Sequence, residues 1–410
     1  MRGVRRRWTA LVVFLSVAGP GIITAAVDND ANGIATYSTA GAHFGYTLLW
    51  TLPLAAVALV VIQEMTARMG SVTGMGLADL IREQFGVKVT TAVMAVLAVA
   101  NWANTIGNFA GVAGSLEIFR LPRLVGVPVV AAAVALLVLR GGYRLIERVF
   151  LGASALYVLY AVSAVLARPD WAAVARAAVV PVIRVEPDYL YLLIALIGTT
   201  IAPWMQFYQQ AAVVDKGLTA GDLRLQRVDT ALGALVTALV AGSIIVATAA
   251  TLNPAGVTVE RAEDAARALA PLAGVYASGL FALGLLNAAV FSVAIIPLST
   301  AYAVCEAFGW EAGLDRPIAQ APVFYGLFLT VLAASALLVL WPGLPLIPVM
   351  VFSQALNGVL LPAVLLTMLR LVNDPRLMGA HVNGPAANAI AGTVTAALVL
   401  LTLVLLAWSF

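Results

Sequence analysis

The sequence has very few charged residues. Lys, Arg, Asp and Glu make up 10% of the 410 residues, against about 25% in soluble globular proteins. By contrast, 62% of the residues are hydrophobic. So few charged side chains cannot cover the surface of a soluble core of this size. The composition therefore excludes a secreted, cytosolic or nucleic-acid-binding protein and predicts a polytopic helical membrane protein.

Cysteine and histidine are almost absent. The single cysteine excludes a disulfide framework, an iron–sulfur site and a cysteine-based zinc site. The two histidines, His43 and His381, are far apart in sequence, which argues against a zinc centre. The predicted spans contain no Ser/His or Cys/His set, and the sequence has no H-E-x-x-H motif or Gly-rich phosphate loop. We therefore expect neither an enzyme nor a bound cofactor.

Long apolar runs dominate the sequence. Runs of about 20 residues, separated by polar or Gly/Pro-rich breaks, are typical of transmembrane helices. Their continuous apolar character lacks the alternation of a β-barrel strand. The basic MRGVRRR start could belong to a signal peptide, but the run that follows has no A-x-A site, which favours a first transmembrane helix. The predicted spans are 11–40, 46–67, 90–117, 124–139, 145–167, 189–213, 230–251, 272–304, 322–341, 345–369 and 387–409.

Basic residues are distributed unevenly between the predicted loops. With the N-terminus in the cytoplasm, about two thirds of the 23 Lys and Arg residues lie on the cytoplasmic side. The bias predicts a cytoplasmic N-terminus and a C-terminus on the outside.

Two carboxylates, Asp28 and Asp30, fall deep in the first predicted span, where a carboxylate is costly. They lie in D-N-D-A-N-G, whose residues are poor helix formers, so we expect the span to unwind near 28–33. Unwound backbone at this depth is tolerated only where it lines a cavity. The alternative is an extracellular loop that ends a short first span. The second apolar stretch that follows argues against it.

The sixth span has a matching interruption. Pro203 removes a helical donor and is followed by Gln206, Gln209 and Gln210. A proline kink is the simple explanation, but breaks in the first and sixth spans suit an inverted-repeat transporter with a cation site between them. We therefore predict one transmembrane transporter domain over 1–410. Its parts are a basic cytoplasmic N-terminus at 1–10, five-helix repeats at about 11–167 and 189–369, and an extra span at about 387–409.

Polar side chains also fall inside the third and tenth spans. Such groups either line a pathway or hydrogen-bond neighbouring helices, and the sequence leaves both possibilities open. They are Asn101, Asn104, Thr105 and Asn108 in the third span, and Ser353, Gln354 and Asn357 in the tenth.

Over nearly its whole length the chain resembles the Nramp family of divalent-metal transporters, which has the LeuT fold. The stretches that carry the resemblance are GPGIITAAVDNDANGIATYSTAGAHFGYTLLW, QEMTARMGSVTG, LSTAYAVCEAFGW and SQALNGVLLP. The resemblance implies an all-α, LeuT-like membrane protein whose first and sixth helices are broken. It also implies divalent metal ions as substrate, a prokaryotic-type plasma membrane as location, and no nucleic acid or obligate protein partner besides the lipid bilayer.

The resemblance also implies a ligand set. The family's first-span motif D-P-G-N falls on Asp30, Ala31, Asn32 and Gly33, so that the motif asparagine is displaced to position 32. The implied metal ligands are Asp30, Asn32, the backbone carbonyls of Val27 and Thr199, and Gln354, with room for water beside Ala202. Secondary positions are Gly33, which offers only its carbonyl, Gln206, Gln209, and Asp28, which we expect to attract ions in the outer vestibule.

Several family positions are altered. The sixth-span motif M-P-H becomes Ala202, Pro203 and Trp204, so the metal-binding thioether and the histidine are missing. The acidic pair of the third span, implicated in the proton route, falls on Thr105 and Asn108. Carboxylate, amide and carbonyl oxygens suit a hard cation. The combination resembles the Nramp-related magnesium transporters of prokaryotes.

The resulting hypothesis is import of Mg²⁺, and also Mn²⁺, by alternating access without proton coupling. The first alternative is a proton-coupled Mn²⁺/Fe²⁺ importer of the ordinary Nramp type. The second is a Na⁺-coupled transporter of a small organic solute with the same fold. A channel is a further possibility, because the sequence does not reveal whether both gates can open together.

Overall fold

The structure is a computed structural model that describes residues 20–270, 274–314 and 316–408. Its described residues form helices and connecting segments without β-strands. The predicted basic segment at 1–10 lies outside the described residues.

The helices follow one another with short connections. In chain order they are α1 (Pro20–Asp28), α2 (Ala31–Phe44), α3 (Thr51–Thr73), α4 (Leu77–Ile118), α5 (Arg123–Ala153), α6 (Val158–Leu166), α7 (Trp171–Val179), α8 (Pro187–Thr200), α9 (Pro203–Asp215), α10 (Leu223–Thr251), α11 (Ala262–Ala266), α12 (Ala277–Phe308), α13 (Pro322–Val339), α14 (Leu346–Val372), α15 (Pro375–Met378) and α16 (Pro385–Trp408).

Among the described residues, 9 helical segments are long and apolar enough to cross a membrane. They correspond to the predicted second to fourth and sixth to eleventh spans, with α8 and α9 together forming the sixth. The first predicted span contains α1 and α2, and part of it lies outside the described residues. The fifth contains the end of α5, a 3₁₀ turn at Ser154–Tyr157 and α6. The all-α membrane architecture is thereby confirmed.

The long helix α4 is two helices joined at a glycine. Gly86 has φ 73° and ψ 173°, a backbone conformation that residues other than glycine rarely adopt. The segment from Leu77 to this kink is a short helix, and the third span begins after it. Because the kink lies at the start of the span, it leaves the polar residues of α4 on regular helix.

The two broken helices pack at the centre of the bundle. α2 contacts α8, α10 and α14, and α9 contacts α3, α4 and α12. The approach of α8 to α14 depends on small residues, since a Cβ added to Gly198 would lie 2.2 Å from the Gln354 carbonyl oxygen. A Cβ on Gly358 would lie 2.5 Å from the Ile194 carbonyl oxygen. Small residues that allow backbones to meet are the usual means of packing helices in a membrane.

We predict that Gly198→Ala destabilises the protein by about 2 kcal/mol, because the new methyl group overlaps backbone atoms that cannot rotate away. The measurement is thermal unfolding of the detergent-solubilised protein. Gly326→Ala is the matched control, since Gly326 lies in α13 with nothing within 4 Å of an added Cβ. The prediction fails if the two variants unfold at the same temperature.

Candidate ion-binding site

The first helix break lies between α1 and α2. α1 ends at Asp28 and α2 begins at Ala31, so two residues lie outside both helices. Asp30 has extended backbone (φ −72°, ψ 176°), and its Oδ1 accepts a hydrogen bond of 2.6 Å from the Gly33 amide. Aspartate is a preferred N-cap residue, which explains why the helix restarts here. The break is confirmed, but the predicted unwinding over 28–33 was too wide, because the cap starts the new helix at residue 31.

The second break separates α8 from α9. α8 ends at Thr200, and Ile201 (φ −133°, ψ 75°) and Ala202 (φ −81°, ψ 146°) depart from helical geometry. Pro203 then occupies the first turn of α9, where its missing N–H has no intrahelical partner to lose. The predicted interruption is therefore a true break between two helices and more than a proline kink.

The two breaks meet at Gly33. A Cβ added there would lie 2.9 Å from Thr199 Oγ1, 3.2 Å from the Asp28 carbonyl oxygen and 3.3 Å from Asp30 Oδ1. The Thr199 hydroxyl is buried and has no hydrogen-bond partner among the described residues. The family resemblance implies only the carbonyl of Thr199 as a ligand, whereas the structure also places its hydroxyl beside the first break. Any side chain at position 33 would separate these oxygens.

The Asp30 carboxylate is 3% exposed and is surrounded by amide donors. Oδ2 accepts from Asn108 Nδ2 at 2.7 Å and from Asn32 Nδ2 at 3.1 Å. Oδ1 accepts from Gln354 Nε2 at 3.4 Å in addition to its bond from Gly33. Each side-chain amide carries an oxygen beside its nitrogen, so rotation of the amide group would exchange a donor for an acceptor. The same side chains can therefore support either the bare carboxylate or a bound cation.

Asn108 lies directly against the first break. The sequence left open whether it lines a pathway or bonds a neighbouring helix; besides its bond to Asp30, it accepts from the Ala31 amide at 3.1 Å. Asn104, one turn earlier, accepts through its side chain and its carbonyl from Asn32 Nδ2. Gly107 makes this approach possible, because an added Cβ would lie 2.2 Å from Asn32 Oδ1. The spacing of Asn104, Gly107 and Asn108 is the sequence feature that could have predicted this contact between α4 and the first break.

The other polar residues of the third span serve different contacts. Asn101 donates to Thr300 Oγ1 at 2.9 Å and so joins α4 to α12. Thr105 Oγ1 donates to the Asn101 carbonyl within its own helix, at 2.7 Å. Thus one part of the polar stripe lies against the first break, and the other part connects helices.

The tenth span contributes a short chain of amides. Gln354, which contacts Asp30, accepts through Oε1 from Asn357 Nδ2 at 2.8 Å. Ser353 instead donates to the Met350 carbonyl within α14, at 2.7 Å. Gln354 therefore lies in the cluster around Asp30, and Asn357 orients it from one turn further along.

Hydroxyl groups from α10, α12 and the 3₁₀ turn at Ser154–Tyr157 meet the carbonyl oxygens at the end of α1. Ser292 donates to the Val27 carbonyl at 3.3 Å, Tyr157 to that of Ala26 at 3.3 Å, and Thr237 to that of Ala25 at 3.2 Å. These bonds satisfy carbonyls that the helix end leaves without an intrahelical partner. The Val27 carbonyl is thereby fixed beside the break, where the resemblance implied a ligand.

Asp28 is as buried as Asp30, with 3% of its surface exposed. Unlike Asp30, it has an oxygen, Oδ2, with no hydrogen-bond partner among the described residues. Its expected role in attracting ions from the outside stays a prediction.

A thioether lies near Ala202 after all. Ala202 is 1% exposed, and its backbone N–H donates to Met205 Sδ at 3.3 Å. Trp204, at the position of the family's histidine, is also buried, and its carbonyl accepts from Ser299 Oγ at 3.1 Å. The family motif has its sulfur at position 202. In this chain the sulfur comes from Met205, one turn further along α9.

Two of the three glutamines of α9, Gln206 and Gln209, contact groups other than Asp30. With its amide in the favoured orientation, Gln206 donates to the carbonyls of Ala202 and Pro203, at 2.6 and 3.1 Å. Gln209 Nε2 lies 3.4 Å from the Gln63 carbonyl oxygen and 3.3 Å from Thr230 Oγ1, which places it between α3 and α10. Neither makes a described contact with the carboxylate cluster.

The chemistry of the cluster suits a cation. Among the described residues, neither Asp28 nor Asp30 forms a salt bridge with a basic side chain, and the neutral groups around Asp30 are rich in oxygen. Two buried carboxylates without a basic partner are costly unless a cation or protons compensate their charge.

Comparison with known proteins shows the family of this chain. The family profile described as Nramp, natural resistance-associated macrophage protein-like, matches residues 21–408. The proteins named divalent metal cation transporter MntH from Deinococcus radiodurans and Ralstonia nicotianae are 31% and 30% identical. The alignments cover 86% and 94% of this chain and 83% and 88% of the relatives. These relatives are named as transporters and not as enzymes.

Solved structures show the same fold. The manganese transporter of Eremococcus coleocola superposes with a TM-score of 0.79 over 95% of this chain and 86% of its own, at 21% identity. Mhp1, a nucleobase-cation-symport-1 family transporter, superposes with a TM-score of 0.61 at 14% identity, over 95% of this chain and 92% of its own. Because the profile matches nearly all of the sequence, the chain belongs to the Nramp family.

Proposed function

We propose that the protein is a divalent metal ion transporter that imports Mg²⁺, and also Mn²⁺, by alternating access. The observation that carries the proposal is the buried carboxylate of Asp30 between two helix breaks, held by the amides of Asn32, Asn108 and Gln354. Carboxylate and amide oxygens are typical ligands of hard divalent ions. The relatives named divalent metal cation transporters support the same substrate class.

The proposed ligands are those that the resemblance implied, with two additions. Asp30 and Asn32 supply side-chain oxygens, Val27 and Thr199 supply carbonyls, and Gln354 joins them when the site is occluded. We add the Thr199 hydroxyl, which lies beside Gly33, and the Asn108 amide, which donates to Asp30. Ala202 leaves space beside them, which suits an ion that gives up its water reluctantly, as Mg²⁺ does.

The proposed setting is a prokaryotic plasma membrane, with the N-terminus in the cytoplasm and the C-terminus outside. In this arrangement the chain forms one transporter domain of two five-helix repeats and an extra span, without an obligate protein partner. The distribution of basic residues supports this orientation.

Proton coupling is not needed for uptake. At about −100 mV a divalent ion gains roughly 4.6 kcal/mol on entry, twice the ~2.3 kcal/mol of a single charge. That free energy corresponds to a concentration ratio of roughly a thousandfold. The third-span positions of the family's acidic pair are Thr105 and Asn108, neither of which can accept and release a proton near neutral pH.

Selectivity for Mn²⁺ over Mg²⁺ is the second candidate. It is favoured by Met205, whose sulfur lies at the second helix break, and by the manganese transporter among the structural relatives. Thioethers bind softer ions than Mg²⁺.

We expect Asp30→Asn to abolish uptake of both ions into proteoliposomes, because this carboxylate is the main charge among the proposed ligands. Asp28→Asn is the matched variant, and we expect it to raise KM several-fold while leaving kcat nearly unchanged, because it removes charge next to the ligands. Complete and equal loss of transport in both variants would contradict this division of roles.

We expect Ala202→Met to shift the preference from Mg²⁺ toward Mn²⁺ and Cd²⁺, since it places a soft ligand directly at the break. Ala202→Leu adds similar volume without sulfur and separates ligand chemistry from loss of space. The measurement is competition of each ion with Mg²⁺ uptake. If the leucine variant shows the same shift, volume and not sulfur determines the preference.

The decisive experiment is uptake into proteoliposomes that contain a Mg²⁺-sensitive dye and a pH dye. We expect a K⁺/valinomycin potential to drive Mg²⁺ entry without acidification of the lumen, and to do so in the wild type but not in Asp30→Asn. Entry of Mn²⁺ but not Mg²⁺, together with acidification, would overturn the proposal in favour of the ordinary Nramp mechanism.

A further inference from the structure

A groove separate from the candidate ion site opens between helices on the surface of the bundle. It encloses about 590 Å³ between α3, α10 and the segment that leads into α16. Its polar lining consists of Glu64, Arg68, Arg227 and His381. None of these residues contacts Asp30, and the proposed transport cycle does not use them.

The charges of the groove are linked but not balanced. Arg68 donates to Glu64 through Nε and Nη2, at 3.0–3.2 Å, and Arg227 Nε donates to the same carboxylate at 2.9 Å. Two arginines and one glutamate give the groove a net charge of +1.

The two arginines differ in their freedom to bind a ligand. Arg68 is 6% exposed in its side chain and also donates to the His381 carbonyl and to Asn383 Oδ1. Arg227 is 58% exposed, and among the described residues its terminal nitrogens have no hydrogen-bond partner. Arg227 therefore presents an open guanidinium fork, which is suited to a phosphate group.

The groove is polar at one end and apolar at the other. Val60 lies one helical turn before Glu64 on α3, and Ala231 lies one turn after Arg227 on α10. The two helices are antiparallel here, so both apolar residues lie about 6 Å further into the span than the charged ones. Beyond them the surface continues with the exposed side chains of Val57 and Leu235. A ligand that fits both ends has an anionic head and an apolar tail.

We propose that this groove binds an anionic phospholipid of the surrounding bilayer. The phosphate lies against Arg227 and His381, and an acyl chain lies along Val60 and Ala231. Basic pockets between transmembrane helices bind anionic lipid headgroups. The positive charge at one end of the groove and the apolar surface at the other favour a lipid over free phosphate.

The test measures binding of phosphatidylglycerol to the purified full-length protein by native mass spectrometry. We expect Arg227→Gln to weaken this binding about five-fold, the effect of roughly one basic residue near a headgroup. Arg224→Gln is the matched control, because Arg224 is exposed on the same helix turn but does not line the groove. Phosphatidylcholine with the same acyl chains, and inorganic phosphate, test the headgroup charge and the chain separately.

A second variant keeps the test independent of the salt bridge to Glu64. Ala231→Trp fills the apolar end and leaves every charge in place, so we expect it to reduce phosphatidylglycerol binding as well. Equal binding in the wild type and both groove variants would overturn the proposal. Equal binding of phosphatidylcholine would also overturn it. So would binding of inorganic phosphate alone as strong as that of phosphatidylglycerol.

Discussion

The burial of the Asp30 carboxylate is the constraint on which the rest of this structure depends. A carboxylate at this depth costs several kcal/mol unless it is hydrogen-bonded or compensated by charge. In the described structure it accepts from one backbone amide and three side-chain amides, which come from α2, α4 and α14. The backbone contact exists only because the first span is broken. The buried Asp30 carboxylate therefore needs the break, and it also caps α2, the helix that follows.

Close packing follows from the same requirement. The amide side chains are short, so the helices that carry them must approach the break closely. Gly107 allows α4 to reach Asn32, and Gly33 allows the second break to reach the first. Gly198 and Gly358 allow α8 and α14 to approach each other. In a membrane, where apolar contact with lipid competes with contact between helices, such positions determine which surfaces meet.

The sequence predicted the architecture well because its signals are strong there. Long apolar runs identify spans, and two aspartates or a proline inside such a run have few structural explanations. The neighbours of the break were harder to predict. Asn108 and Asn101 have the same residue type and lie on one helix, yet the first contacts Asp30 and the second contacts α12. Spacing defines the face of a helix, but the partner of each residue on that face depends on packing between helices.

Two further differences between prediction and structure, the width of the first break and the place of Met205, have local causes. The width of the first break was overestimated because helix propensity does not include the N-cap bond of Asp30, which starts α2 at residue 31 despite the asparagine and glycine that follow. Met205 was overlooked because alignment with a family motif compares one position at a time. A side chain one turn along a helix that begins at the break can reach the same place.

Among the described residues Asp30 has no basic partner, which suits the proposed binding and release of a cation there. Within the described residues, Glu64 is held by two arginines, whereas Asp30 is held by amides alone. Breaking a buried pair with arginine costs about 3–5 kcal/mol, while a single hydrogen bond from a neutral donor to a charged group contributes about 1.5–3 kcal/mol. At the proposed Asp30 site, an entering cation would displace only neutral donors, whose amide oxygens would then serve as the proposed ligands. On its departure the same amides would rotate back and stabilise the carboxylate, so that neither the bound nor the empty state would be a deep energy minimum.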